Sequence, residues 1–410
     1  MKINSNKYFY LNNKETDGAV FQTQILDWLH LFGQNGVSFE LIQLFHIKDF
    51  IRPNFVNSQI KVVKGKSKIF NGFLFFLPSK GFGAYLNFGL LLIKLLIPLF
   101  KSGKVVIFSR AIIGREIRLL KRIFPSKVVF IFDARAASAE ENKYSAIKTS
   151  DFSKERYLMI GNIYYLEYET ILIADKIFSV SNRLSDYFID NFKIDKNKFH
   201  LYPCLSNSSK FKFNIEVRSE IRSEMNFGIE KRVLIYAGGI SAEWHLADKM
   251  IKFFRELLKF EQNSVFLFLS NDEVGFNRLI QNFPDLMEFV FYKKVPNDLV
   301  YKYLNAADFG LLFRDDTIMN NVSSPTKFAE YMLCGLPVLI SQGVGDYEKF
   351  VSENNAGLVF KTTELENFNN FDFNSFLNKK FVRNEIAQLG QKLFSKEAFA
   401  PHLTQILSND

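Results

Sequence analysis

The chain is 410 residues long, 48% hydrophobic and 23% charged, with a formal net charge of +9. This length exceeds one ordinary core and suits two domains of roughly 200 residues each, and this balance excludes both a disordered chain and a polytopic membrane protein. Its only cysteines, Cys204 and Cys334, form no CxxC pair and join no Cys/His cluster, which excludes a disulfide framework and a structural zinc site.

In chain order, residues 1–10 are polar with two lysines and lack the apolar core of a secretory signal, so the expected location is the cytoplasm. A strand at 8–11 is followed by a helix on which Phe21, Ile25, Trp28, Leu29 and Phe32 recur on one face, then by a strand at 37–44. Residues 82–100 (FGAYLNFGLLLIKLLIPLF) are long enough to span a bilayer but are interrupted by Gly83, Asn87, Gly89, Lys94 and Pro98, which favours a buried or partly membrane-facing helix. Short apolar runs at 105–108, 128–132 and 177–180 alternate with helical periodicity, the rhythm of βαβ units and a parallel sheet. A polar stretch at 202–210 (YPCLSNSSK) reads as a linker, which places the boundary near Ser208 and the domains at 1–208 and 209–410. The second half repeats the rhythm with strands at 233–236, 265–269, 309–313 and 337–340, and a helix presenting Leu246, Met250, Phe253, Phe254 and Leu257 on one face. The last helix is expected to pack back on the first domain. Two Rossmann-like, doubly wound α/β halves place a ligand cleft at the carboxyl ends of their strands.

The basic charge is confined to the first half: 29 Lys and Arg against 17 Asp and Glu up to Ser208, and 23 against 26 beyond it. A basic domain beside an acidic one suits peripheral docking on an anionic membrane or binding of a phosphate-bearing lipid. Nucleic acid is not expected as a partner, because no helix-turn-helix signal, RNP-like strand or Arg-rich tract accompanies the charge.

Chemistry concentrates in residues 314–340, RDDTIMNNVSSPTKFAEYMLCGLPVLI. Ser323 and Ser324 are favourable N-cap residues and Pro325 suits the first helical position, so a helix is expected to start there. Its amino terminus, with Thr326 and Lys327 in the first turn, is a site for a diphosphate. Glu330 follows Lys327 at an i,i+3 step and shares its face, where it can accept bonds from sugar hydroxyls. Gly335 and Pro337 return the chain to the sheet.

The run from Asp308 to Arg314 (DFGLLFR), followed by SPTKFAEYMLCGLPV from Ser324 to Val338, resembles the donor-site signature of glycosyltransferase family 4 (group 1), retaining enzymes of bacterial surface-polysaccharide assembly. Tyr236-Ala-Gly-Gly239 and Asp175-Lys-Ile-Phe-Ser-Val-Ser181 extend the resemblance, which covers about residues 128–360. It implies the GT-B fold, a nucleotide-sugar donor (UDP- or GDP-linked) and a lipid-linked or polysaccharide acceptor such as a polyprenyl-linked saccharide. It also implies retention of anomeric configuration without metal or cofactor. Arg314 and Lys327 would compensate the leaving diphosphate and Glu330 would hold the ribose. Gly238, Gly239, Ser241, His245, Ser324, Pro325 and Thr326 complete the expected donor site.

The chain departs from the pattern twice. The first of two glutamates falls on Val322, and Ile240-Ser-Ala-Glu-Trp-His245 carries no basic residue after the glycine turn, a loss that Arg314 is expected to cover. On the acceptor side, Asp133-Ala-Arg135 follows a strand and resembles the Asp-x-Arg motif of related transferases, with Asp133 orienting a hydroxyl and Arg135 holding a phosphate. A loop salt bridge is the competing reading. His46 and Arg110 also follow strands and are further acceptor-side candidates. A nucleotide-sugar epimerase of the same fold and a catalytically degenerate glycan-binding or scaffold homologue stand as alternatives.

Overall fold

Short runs of β-branched and aromatic residues, bounded by polar turns and separated by amphipathic helices, close two parallel sheets. The computed structural model describes residues 6–13, 16, 18–79 and 81–408. The chain divides into one unit made of Met1–Pro203 with Ala400–Asp410 and another made of Cys204–Phe399.

In the first unit, seven strands are found among the described residues: β1 (Lys7–Asn13), β2 (Phe39–His46), β3 (Phe70–Phe76), β4 (Val105–Ser109), β5 (Val128–Ala134), β6 (Lys176–Ser179) and β7 (Phe199–Leu201). They lie in the order β3-β2-β1-β4-β5-β6-β7, every pairing parallel. The strand expected at 37–44 begins two residues later. Gly36 turns at φ +96° and the Val37 N–H bonds the Phe32 carbonyl, so Val37 and Ser38 still belong to the helix exit. β3 escaped the sequence reading because Asn71 and Gly72 break its alternation, and a register shift opposite Leu41 and Ile42 lets it pair nonetheless. The helix face of Phe21, Ile25, Trp28, Leu29 and Phe32 is fully buried, as its spacing requires. Tyr202, inside the expected linker, is buried against Trp28, Phe108 and Phe178, so the chain leaves this unit only after it. It re-enters at the carboxyl terminus, where Lys176 donates to the Ile406 carbonyl at 2.6 Å.

The second unit holds β8 (Arg232–Ala237), β9 (Ser264–Leu269), β10 (Val290–Lys293), β11 (Phe309–Leu312), β12 (Val338–Ser341) and β13 (Gly357–Phe360), in the order β10-β9-β8-β11-β12-β13, again with every described pairing parallel. Helix α1 (Ala247–Leu258) buries Met250, Phe253, Phe254 and Leu257 completely, while Leu246 stands at its amino end in the left-handed conformation (φ +46°). Phe253 meets the rings of Phe313, Phe360, Phe368, Phe371, Phe373 and Phe376 at centroid distances of 5.3 to 6.1 Å. Truncating it should therefore open a cavity that its neighbours are too rigid to fill. Phe253→Ala is expected to cost about 3–5 kcal/mol, read as a lower urea midpoint for this unit; a loss under about 1 kcal/mol would contradict this packing account.

Candidate functional site

In open parallel sheets, functional side chains gather beyond the carboxyl ends of the strands. In the second unit those ends are β8 and β11. β8 runs out at Ala237 into Gly238, which takes φ +151° and is packed so closely against Lys327 that a Cβ there would strike the lysine side chain. Tyr236 donates its hydroxyl to the Gly239 carbonyl at 2.7 Å, and the same carbonyl meets His245 Nδ1 at 2.8 Å. That contact puts the proton on Nδ1. Burial, then Lys327 and Arg314, depress the His245 pKa to about 3, so the imidazole is neutral at physiological pH and Nε2 is its acceptor. His245 lies in a short turn, Glu243–His245, ahead of α1 and not in the first helical turn.

Helix α2 (Thr326–Leu333) brings the cationic group. It begins one residue later than expected: Pro325 is the N-cap, with no side-chain cap bond. Ser324 does not cap it, because its hydroxyl pairs with Tyr347 at 2.7 Å and accepts the Cys204 N–H at 3.0 Å; Ser323 bonds back to Asn320. The helix is pinned by Tyr331, whose hydroxyl accepts from Ala237 N–H and donates to the Leu311 carbonyl, and whose ring occupies the space a Cβ at Gly310 would need. Lys327 Nζ thereby sits 3.5 Å from the Tyr236 hydroxyl and 5.0 Å from that ring's centroid.

Arg314 follows β11, its backbone N–H held by Ser341 and its guanidinium by the buried Asn320 at 3.2 Å. Among the described residues neither Lys327 nor Arg314 has a carboxylate within ion-pair distance. Burial and the neighbouring Arg314 charge lower the Lys327 pKa to about 7. Burial raises the Glu330 carboxyl to about 7 against the pull of Lys327, Lys210 and Lys396.

One expectation needs correction here. The N–H groups after Gly239 do not all face a ligand: Ile240 and Ser241 both donate to Asp272, at 3.1 and 2.6 Å. Hydrogen bonds from the Ser241 side chain and backbone, with those from Gly275 and Ile240, lower the pKa of that carboxyl to about 2. Asp272 was missed because, in sequence, it shows only as the cap of the helix Glu273–Gln281. Val322, where the family pattern has a glutamate, is 4% exposed and packed as core.

On the acceptor side, His46, Arg110, Asp133 and Arg135 all line one cavity of about 540 Å³ in the first unit, with Leu77–Ser79, Ile112, Ser138 and Glu141 on its walls. Asp133 lies within β5 and not after it. Its Oδ2 accepts from Tyr10 at 2.7 Å and from Arg110 Nε at 3.0 Å, while Oδ1 lies 2.6 Å from Arg135 Nε. Arg135 also stacks over Tyr202, 4.2 Å from the ring centroid. Asp133 is thus an anchor hydrogen-bonded through Oδ2 and in ion-pair contact with Arg135 through Oδ1, and Arg110 and Arg135 border the cavity beside it. His46 Nδ1 accepts from Lys48 N–H, capping the turn Ile47–Ile51. Sequence gave no signal for Tyr10, nor for Glu167, which is buried behind the cavity, caps Ser138 at 2.8 Å and is raised by burial to about 7.

No protein-family model matches the chain, and no curated protein matches it. Among solved structures, HepE of Anabaena in complex with UDP has a TM-score of 0.67 at 10% identity, over 98% of this chain and all of that one. A glycosyltransferase of Rickettsia africae gives 0.65 at 13% identity, over 98% and 100%. WaaG, a glycosyltransferase involved in lipopolysaccharide biosynthesis, gives 0.55 at 13% identity, over 97% and 95%. The chain has the fold of these GT-B glycosyltransferases, with a parallel-sheet α/β unit in each half.

The engaged geometry of Asp133 predicts its own test. Asp133→Ala should destabilise the first unit by about 3 kcal/mol or more, since two arginines lose a buried partner, and calorimetry reads this directly. A stable variant with unchanged melting would show that the carboxylate serves ligand and not scaffold.

Proposed function

We propose that this chain is a glycosyltransferase that takes a sugar from a UDP- or GDP-linked donor bound in the second unit. The observation that carries this reading is the pair Lys327 and Arg314: two half-buried cations, fixed by Tyr236, Asn320 and the helix α2, with no carboxylate in ion-pair contact among the described residues. Such a pair costs desolvation and mutual repulsion, and a diphosphate at the helix amino terminus offsets both. The HepE complexes with UDP and UDP-glucose support the donor class.

Departure of the nucleoside diphosphate leaves an oxocarbenium-like centre and builds negative charge on the leaving oxygens. Lys327 Nζ and the Arg314 guanidinium meet that charge more strongly in the transition state than in the ground state. Two fixed cations supply the compensation that a divalent ion supplies in other transferases, which supports a reaction without metal or further cofactor. Glu330, one helical turn beyond Lys327, accepts from the ribose hydroxyls in this reading. His245 Nε2 is an acceptor for the donor sugar. Retention of configuration belongs to the reading through the family 4 resemblance. The acceptor is a saccharide of bacterial surface-glycan assembly, free or lipid-linked, with its polar head in the cavity bordered by Arg110, Arg135 and His46; the likeness to WaaG supports this assignment.

The test is binding of UDP and GDP to the wild type and to Lys327→Ala, by thermal shift and calorimetry. One nucleotide at about 100 times its Kd should stabilise the wild type by about 2.7 kcal/mol. Lys327→Ala should weaken it by about 10- to 100-fold while the chain stays folded. If neither nucleotide binds, the donor site is wrongly assigned.

The pH dependence follows from the two shifted groups. A bound diphosphate favours protonated Lys327, so above about pH 7 binding must take up a proton and affinity falls as pH rises. Ribose binding favours ionised Glu330, so below about pH 7 affinity falls as pH drops. Nucleotide affinity should peak near neutrality, with the alkaline limb flattened in Lys327→Arg and the acidic limb in Glu330→Gln. A wild-type affinity that is flat from about pH 6 to about pH 8 would sink both roles.

A further inference from the structure

We infer that the first unit docks on an anionic lipid bilayer through the outer face of the helix Phe82–Lys101, lying in the plane of the membrane surface and not crossing it. This inference stands apart from the donor-site reading. A helix on the surface of a water-soluble domain turns polar residues outward. This one does not. Of its nine exposed residues, eight are apolar or aromatic (Phe82, Tyr85, Leu86, Leu90, Ile93, Leu96, Ile97 and Phe100), and the ninth is Lys101 at its end. Phe82 and Ile93 are each 74% exposed and Phe100 is 70%. At 100° per residue these eight fall within about 140° of arc, one continuous stripe roughly 30 Å long.

The opposite face says why the helix lies flat. Ala84, Asn87, Leu91, Leu95 and Leu99 are buried in the unit. Asn87 exchanges hydrogen bonds with both the N–H and the carbonyl of Leu77, at 2.8 and 2.9 Å, and donates to the buried Glu116 at 2.9 Å. Although it meets the length and hydropathy of a membrane span, crossing would strip these partners from Asn87 and Glu116 and expose the core they cover. An apolar outer stripe over an anchored inner face belongs at an interface.

Charge selects the occupant. From Lys94 to Lys127 the sequence holds nine Lys and Arg and a single acid, the buried Glu116; Arg115 and Arg118 share Glu169 and Lys121 pairs with Asp175, which leaves an excess of positive charge with Lys101 and Arg122 exposed. The neighbouring helix Gly114–Ile123 turns Arg118, Arg122 and the 54% exposed Ile123 outward. It packs in turn against the helix Lys154–Ile173, where Tyr157, Leu158, Tyr164 and Tyr165 are exposed and Arg115 lies 5.2 Å over the Tyr165 ring. Apolar residues flanked by tyrosines and cations match acyl boundary, headgroup level and anionic phosphate in turn. Leu77–Ser79, which wall the cavity of the first unit, lie immediately before this helix, so docking brings the cavity close to the lipid headgroups.

The experiment is vesicle flotation of the full chain with phosphatidylcholine alone and with phosphatidylcholine containing phosphatidylglycerol. The expected result is binding to the anionic vesicles at least about tenfold stronger than to neutral ones, released by high salt. Ile93→Ser/Ile97→Ser/Phe100→Ser should lose about tenfold or more, and Lys101→Glu/Arg122→Glu should lose the preference for anionic lipid. All five positions are exposed, and an unchanged melting temperature confirms the fold. A nucleotide-induced thermal shift retained in both variants separates this result from the donor site. No binding by the wild type, or equal binding by the triple variant, overturns the inference. Release by detergent alone would mean a spanning helix and overturns it also. A concentration-dependent dimer that the triple variant abolishes, without vesicle binding, would assign the face to a second copy of the chain instead.

Discussion

Two positive charges held near one another, neither in ion-pair contact with a carboxylate among the described residues, are the constraint around which the second unit is built. Burial lowers the proton affinity of both Lys327 and Arg314, and the Arg314 charge lowers that of Lys327 further. Such a pair relaxes unless something stiff prevents it. Here the stiffness comes from neutral groups. Tyr236 lies beneath the lysine, Asn320 holds the guanidinium, and Tyr331 fastens the intervening helix to two strands at once. Neutral supports leave the positive potential uncancelled. Elsewhere in the same unit, Asp308 joins Arg218 and Arg222 in ion pairs, as a purely structural cluster does.

The first unit solves the opposite problem. Arg110 and Arg135 meet a carboxylate, Asp133, that is fully buried between them and further fixed by Tyr10. The net charge of that trio is a single positive, spread over two planar groups beside the cavity, where it can hold a saccharide or its phosphate without the strong self-repulsion of the other site. The two units therefore hold positive charge in different ways: bare in one, partly compensated in the other.

Much of this was legible in the sequence, and what was not has a physical reason. Long apolar runs such as Val128–Ala134 and Ser264–Leu269 announced buried parallel strands, and the spacing of Met250, Phe253, Phe254 and Leu257 announced a buried helix face. The edge strands β3, β7, β10 and β13 stayed hidden because they are short or broken by Asn and Gly, and their pairing depends on neighbours far along the chain. Within the candidate site, Arg314, Lys327 and Glu330 lie in one local motif and the glycine turn in another, and both could be read. Asp272 and Asn320 could not, because what they bond is decided by the approach of separate loops. Ser324 misled for the same reason: an ideal capping residue in isolation, it finds a better partner in Tyr347 once the chain folds.

The return of residues 400–410 to the first unit has a consequence for how the protein is made. During synthesis the amino-terminal domain ordinarily completes itself first. Here that unit lacks a segment, including the carbonyl that Lys176 grips, until the ribosome has passed through the whole second unit. The second unit, contained within residues 204–399, has all its residues earlier. Assembly thus runs inward before it closes outward, and the segment made after the second unit supplies the piece that completes the first.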